Sequence, residues 1–92
     1  MTEFKVSTKE KELSFTIKYA DSLPAGYGHR KITIEVECEG ESKLFSVTTN
    51  CMPLFDKAME LEGQEKYEAL YFIEESTFDD LIQEWLWERE LI

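Results

Sequence analysis

Three groups of residues in this 92-residue chain have side chains and spacings that could do chemistry. They are a glycine-flanked run of cations, two cysteines with a single histidine, and a large surplus of carboxylates. The run lies between Leu23 and Lys31. Gly26 and Gly28 would let backbone N–H groups approach an anion, and His29, Arg30 and Lys31 would add positive charge, so a phosphate or carboxylate site is chemically reasonable. The spacing matches neither GxxxxGK[ST] nor GxGxxG after a strand. A glycine-rich hairpin connection with Tyr27 laid over the core explains the same residues without a ligand.

Nucleophilic catalysis would need Cys38 or Cys51, His29 as base, and a third group to orient it. Cys38 shares a strand face with Ile32, Ile34 and Val36 and reads as a small buried hydrophobe. Cys51 precedes a helix, a position that can activate a thiol. Neither cysteine sits in a recognisable local signature, so the reading is non-enzymatic. Two cysteines can pair once at most, and both are expected as thiols. His29, Cys38 and Cys51 are spread over 23 positions, unlike the close spacing of a zinc site, and no metal or other cofactor is expected.

Carboxylates dominate the rest. The chain holds 20 Asp and Glu against 10 Lys and Arg, a net charge of −10. Residues 1–46 hold seven basic and eight acidic residues, whereas residues 47–92 hold three and twelve, so nearly all the excess lies in the second half. Such a field repels nucleic acid and anionic membrane, and it steers a basic partner inward. Asp79, Asp80 and Glu84 share one helix surface, where capping and solvation explain them without a cation. Glu35, Glu37 and Glu39 are expected on one face of one strand, where like charges repel and gain from cations alongside. Lys18 and Lys43 are the internal candidates. Near the C-terminus, Trp87 and Leu91 fall off the apolar stripe of the last helix, beside Glu84, Glu88 and Glu90. An exposed tryptophan rimmed by acid would make a binding anchor.

The elements that must carry these residues follow from periodicity. Period-two alternation marks strands with one buried face. It groups Phe4, Val6 and Thr8, then Leu13, Phe15, Ile17 and Tyr19, then Ile32, Ile34, Val36 and Cys38, and finally Phe45 and Val47 in a strand ending near Thr49. Charged turn residues 9–12 and Glu39–Ser42 separate neighbours, and residues 20–30 form the one long connection. The period then changes to that of a helix. Asn50 is expected to cap a helix with Pro53 in its first turn and Leu54, Phe55, Ala58, Met59 and Leu61 inward, stopped at Gly63. Segment 64–75 fits both periods and favours helix on its Glu, Lys, Ala and Leu content. Ser76 and Asp79 form a capping box for a helix over 77–90, with Phe78, Leu81, Ile82, Trp85 and Leu86 on its buried stripe.

The expected fold is α+β: a four-stranded antiparallel β-meander over residues 3–49, with two or three C-terminal α-helices packed on one face. Length makes residues 1–92 a single compact domain. No apolar run approaches a bilayer span, and the N-terminus lacks the order of a signal peptide, so the expectation is cytoplasmic with no membrane partner. For function, the sequence favours a small acidic, non-catalytic protein-binding module of the inhibitor or antitoxin kind. Its partner would be a basic or nucleic-acid-handling protein, with no direct nucleic-acid contact, engaged through Trp87, Leu91, Glu84, Glu88, Glu35, Glu37 and Glu39. The alternatives are a structural homodimer and a small anionic-ligand binder built on Gly26, Gly28, His29, Arg30 and Lys31.

Overall fold

The alternating first half forms four strands: β1 (Phe4–Ser7), β2 (Glu12–Pro24), β3 (Arg30–Cys38) and β4 (Glu41–Thr49). The structure, a computed structural model, describes residues 3–7 and 12–90. The strands pair in sequence order, every pair antiparallel. Thr8 and Leu91 lie outside the described residues. One face of the sheet is apolar, with Phe15, Ile17, Ile32, Ile34, Val36 and Cys38 each at most 1% exposed. An apolar face of that extent needs a second layer.

Three helices supply it: α1 (Met52–Met59), α2 (Gly63–Ile73) and α3 (Glu75–Glu90). They contribute Phe55, Ala58, Leu70, Tyr71, Phe78, Ile82 and Leu86 to the same core. Each large side chain removed from water stabilises the fold by roughly 1.5–3 kcal/mol, so the interlayer core is what holds helices on sheet. An aromatic cluster closes the β1 edge, where the Phe4 ring lies 5.5 Å from Phe15 and 5.0 Å from Tyr71. That packing keeps a four-residue edge strand in place.

Five local expectations are corrected. Tyr19 does not continue the buried series of β2. A β-bulge falls between Ile17 and Tyr19, so Ile17 pairs with Val36 but Tyr19 pairs with Glu35 and Ala20 with Ile34. The extra residue shifts the alternation by one, leaving Tyr19 46% exposed and Ala20 buried. Beyond the bulge β2 runs on to Pro24, so the long connection expected over 20–30 shrinks to the turn at 25–29. At α1 the cap is Cys51, with no side-chain hydrogen bond, and it is the hydroxyl of buried Thr49 that accepts the Cys51 N–H at 3.1 Å, in place of Asn50. Gly63 does not stop the first helix, which ends at Met59 with Glu60 as its cap; with φ of +60° it opens α2. Finally, Phe78 N–H bonds the Glu74 carbonyl at 3.0 Å, so α3 starts at Glu75 and Ser76 lies inside it instead of capping it. Segment 64–75 is helical, broken from α3 at Glu74 alone.

The bulge has a fastening of its own. Gln64 Nε2 on α2 donates to the Ile17 carbonyl at 2.7 Å and to Glu68 Oε2 at 2.9 Å. At the other end of the layer, Gln83 Nε2 on α3 donates to the Ser7 carbonyl of β1 at 2.6 Å. Gln64→Ala is expected to cost about 1–2 kcal/mol by stranding the bulge carbonyl. Urea unfolding would read that as a lower midpoint at unchanged slope, and an unshifted midpoint would mean water replaces the amide. Among the described residues no helix is long and apolar enough to cross a membrane.

Candidate protein-binding surfaces

The division of charge along the sequence becomes a division between layers. Residues 50–90 build the helices and hold twelve acidic and three basic residues, so the covering layer carries the excess while the sheet is close to neutral. Asp56, Glu60, Glu62, Glu65, Glu75, Asp80, Glu84 and Glu88 are all exposed on it. Desolvating none of them, the layer keeps its charge in water and projects a negative field outward.

The glutamates of β3 divide. Glu35 and Glu37 project from the uncovered face, half-buried, and Glu37 Oε2 lies 3.3 Å from Lys18 Nζ. Glu39 is in the β3–β4 turn with φ of +56°, outside the strand row. Lys43 pairs with Val36 and so belongs to the covered face, its ammonium 5.7 Å from the Phe45 ring. Of the two cations expected beside the glutamates, Lys18 is there and Lys43 is on the other side. A charge at that inward-facing position on an edge strand discourages pairing with another chain.

On α3, Trp87 is 37% exposed. Glu84 and Glu88 line a shallow depression of about 190 Å³ with Lys43, Phe45, Leu81 and Trp85. Their nearest tryptophan in that depression is therefore Trp85, over whose ring Arg89 sits at 5.3 Å while its Nε reaches Glu41 at 3.0 Å.

The 26–31 segment is a tight turn in which Gly26, Tyr27 and Gly28 all have positive φ, of 84°, 49° and 78°. Ala25 N–H bonds the His29 carbonyl and His29 N–H bonds the Gly26 carbonyl. Tyr27 stands fully exposed, not over the core. Strand alternation sends Arg30 and Lys31 to opposite faces, and the Arg30 guanidinium lies 5.2 Å over the buried Phe55 ring. The two cations thus diverge.

The helical spacing of Leu54, Phe55, Ala58, Met59 and Leu61 predicts one inward stripe, and the structure separates them. Phe55 and Ala58 face the sheet, while Leu54, Met59 and Leu61 are 49%, 41% and 37% exposed. Leu54 and Leu61, with Lys57, Ala58, Ala69, Phe72 and Ile73, line an open groove of about 290 Å³ between α1 and α2. Phe72 is 51% exposed. A sequence signal was present: α1 is too short to bury five apolar residues on one stripe.

Cys38 is buried, Cys51 is half-buried on the α1 cap, and the two form no disulfide. Among the described residues no cluster of His, Cys, Asp or Glu is placed to hold a metal ion. One strongly perturbed titratable group is Tyr71, buried where α2 meets α3, whose hydroxyl donates to Asp79 Oδ1. Burial pushes its pKa well above the ordinary 10.0, and the hydrogen bond and charge of Asp79 add to the rise. Folded Tyr71 therefore keeps a proton that an unfolded tyrosine loses near pH 10, so this stability is whole below that pH and falls as pH rises beyond it. Urea midpoints between about pH 9 and pH 11 should fall less steeply in Tyr71→Phe than in the parent, by up to about 1.4 kcal/mol per pH unit. Parallel slopes would place the alkaline sensitivity elsewhere.

No family model matches the chain, and neither a curated protein nor a solved structure matches it.

Proposed function

We propose that the chain is a small acidic protein-binding module, non-catalytic, whose helical layer engages a basic protein, in the manner of an inhibitor or antitoxin that covers a nucleic-acid-handling surface. The observation that carries this reading is the concentration of the charge excess on one layer, with eight exposed carboxylates over three helices. A one-sided field of that kind orients a basic partner before contact and opposes nucleic acid for the same surface. Trp87 on α3 offers the large, partly exposed aromatic that holds such complexes by burial once they form.

The homodimer alternative is weaker on the same ground. Two copies meeting through their helices would bring two acidic layers together, and like charges across an interface oppose association. Nor does the diverging pair Arg30 and Lys31 favour a small anion.

The test is capture of partners by the tagged protein from its source-cell lysate at about 50 and 500 mM salt, a range over which surface charge is strongly screened. A basic protein retained at low salt and lost at high salt, and not retained by an Asp80→Asn/Glu84→Gln/Glu88→Gln variant, is the expected result. A partner held equally by parent and variant at both salts would overturn the electrostatic reading.

A further inference from the structure

The groove between α1 and α2 is open and apolar, and none of the described residues covers it. Leu54, Leu61 and Phe72 remain one-third to one-half exposed along it. Scattered surface hydrophobes need no explanation, but three large ones converging on one concavity mark a contact surface. Resting on the reading of the acidic layer as a basic protein's docking face, we propose that this groove receives an amphipathic helix of the partner. One or two large apolar side chains of that helix would enter the groove, and lysines or arginines would flank them.

The occupant follows from the walls and the rim. Both walls are helices, whose backbone groups are already hydrogen-bonded within themselves, so the groove offers no ladder to an extended peptide. A helix satisfies its own backbone and brings side chains at i, i+3 and i+4 to one side, which suits a trough between two helices. The volume of about 290 Å³ is the size of one or two large apolar side chains, too small for a folded element's whole face. Glu65 shares the face of α2 that carries Ala69 and Phe72 at i, i+4 and i+7, and Lys66 shares it with Ala69 and Ile73 at i, i+3 and i+7. Glu60 and Glu62 flank Leu61 in the chain. Residues 50–75 hold seven acidic residues, with Glu60, Glu62, Glu65 and Glu75 exposed, against two cations, Lys66 and the Lys57 that lines the groove. That balance selects a cationic helix, and it disfavours an anionic membrane or a second copy of this chain.

The probe is a labelled synthetic amphipathic peptide of leucine and lysine, compared with a scrambled peptide of the same composition and with a leucine–glutamate peptide of the same pattern. Binding is read by fluorescence anisotropy at low salt, and the site by amide chemical-shift changes. The expected result is that the patterned cationic peptide binds at least about tenfold more tightly than the scramble. Its shifts should centre on residues 54–61 and 69–73, and the leucine–glutamate peptide should not bind. Leu61→Ser, and Phe72→Ser at a ring that also packs 5.5 Å from Phe4, should each weaken it about tenfold. Thermal unfolding of both variants checks that they remain folded. Equal binding of patterned and scrambled peptides, with shifts confined to α3, would overturn the groove while leaving the acidic layer attractive to cations. No binding of either cationic peptide would overturn the groove and the acidic-layer reading together.

Discussion

Phe78→Ala is expected to lower the free energy of unfolding by about 3–5 kcal/mol, the usual cost of a cavity left by a buried aromatic. Phe78 is fully buried, one turn into α3, with its ring 6.2 Å from that of Tyr71 on α2. It therefore joins both long helices to the core at the point where the chain breaks between them at Glu74. Domains of this size are stable by only about 5–15 kcal/mol, so the variant should lose a large share of that margin. Urea unfolding would show a much lower midpoint. A midpoint close to the parent's would contradict the packing of α3 on the sheet, since no surface position loses that ring so cheaply.

The second large effect concerns association. Asp80, Glu84 and Glu88 are exposed and spaced by four residues, so they form one acidic stripe on α3. Neutralising all three as Asp80→Asn/Glu84→Gln/Glu88→Gln should slow association with a basic partner by about tenfold at low salt, because a screened or weakened field no longer steers encounter. The same variant should be slightly more stable than the parent, because like charges at i and i+4 destabilise a helix by a few tenths of a kcal/mol per pair. Slower binding with higher stability is a combination that misfolding cannot produce. Trp87→Ala should instead act on dissociation, as truncation of a buried aromatic anchor does. Stopped-flow association and chase experiments separate the two, and a triple variant that binds at the parent rate would contradict steering through α3.

Much of the fold was legible in the sequence because both periods are clean where one face is buried. Ile32, Ile34, Val36 and Cys38 alternate without interruption and are all in the core. Phe78, Ile82 and Leu86 recur at helical spacing and are fully buried too. Legibility fails where one residue breaks the period. The bulge at Lys18 adds a residue that no alternation reveals, and with it Tyr19 turns outward and Ala20, expected in the connection, is buried in the strand. Ser76 and Asp79 carry the letters of a capping box, but Asp79 is drawn instead to the Tyr71 hydroxyl, a contact across the α2–α3 junction that only the tertiary packing creates. The surfaces were legible in charge and not in shape. The acidic excess of the second half is plain from the sequence, whereas the groove depends on which side of α1 turns to the sheet. Five apolar residues at helical spacing do not say that Leu54 and Leu61 will be left for something else to cover.

The most direct measurement of the acidic layer as a docking face is the rate at which a captured basic partner associates with the chain as ionic strength is raised from about 50 to 500 mM. Steering by the helical layer predicts a fall of more than about tenfold, with the Asp80→Asn/Glu84→Gln/Glu88→Gln variant slow and nearly flat across the range. A parent rate that does not change with salt would contradict it, and would leave the charge of the helices as a device for solubility.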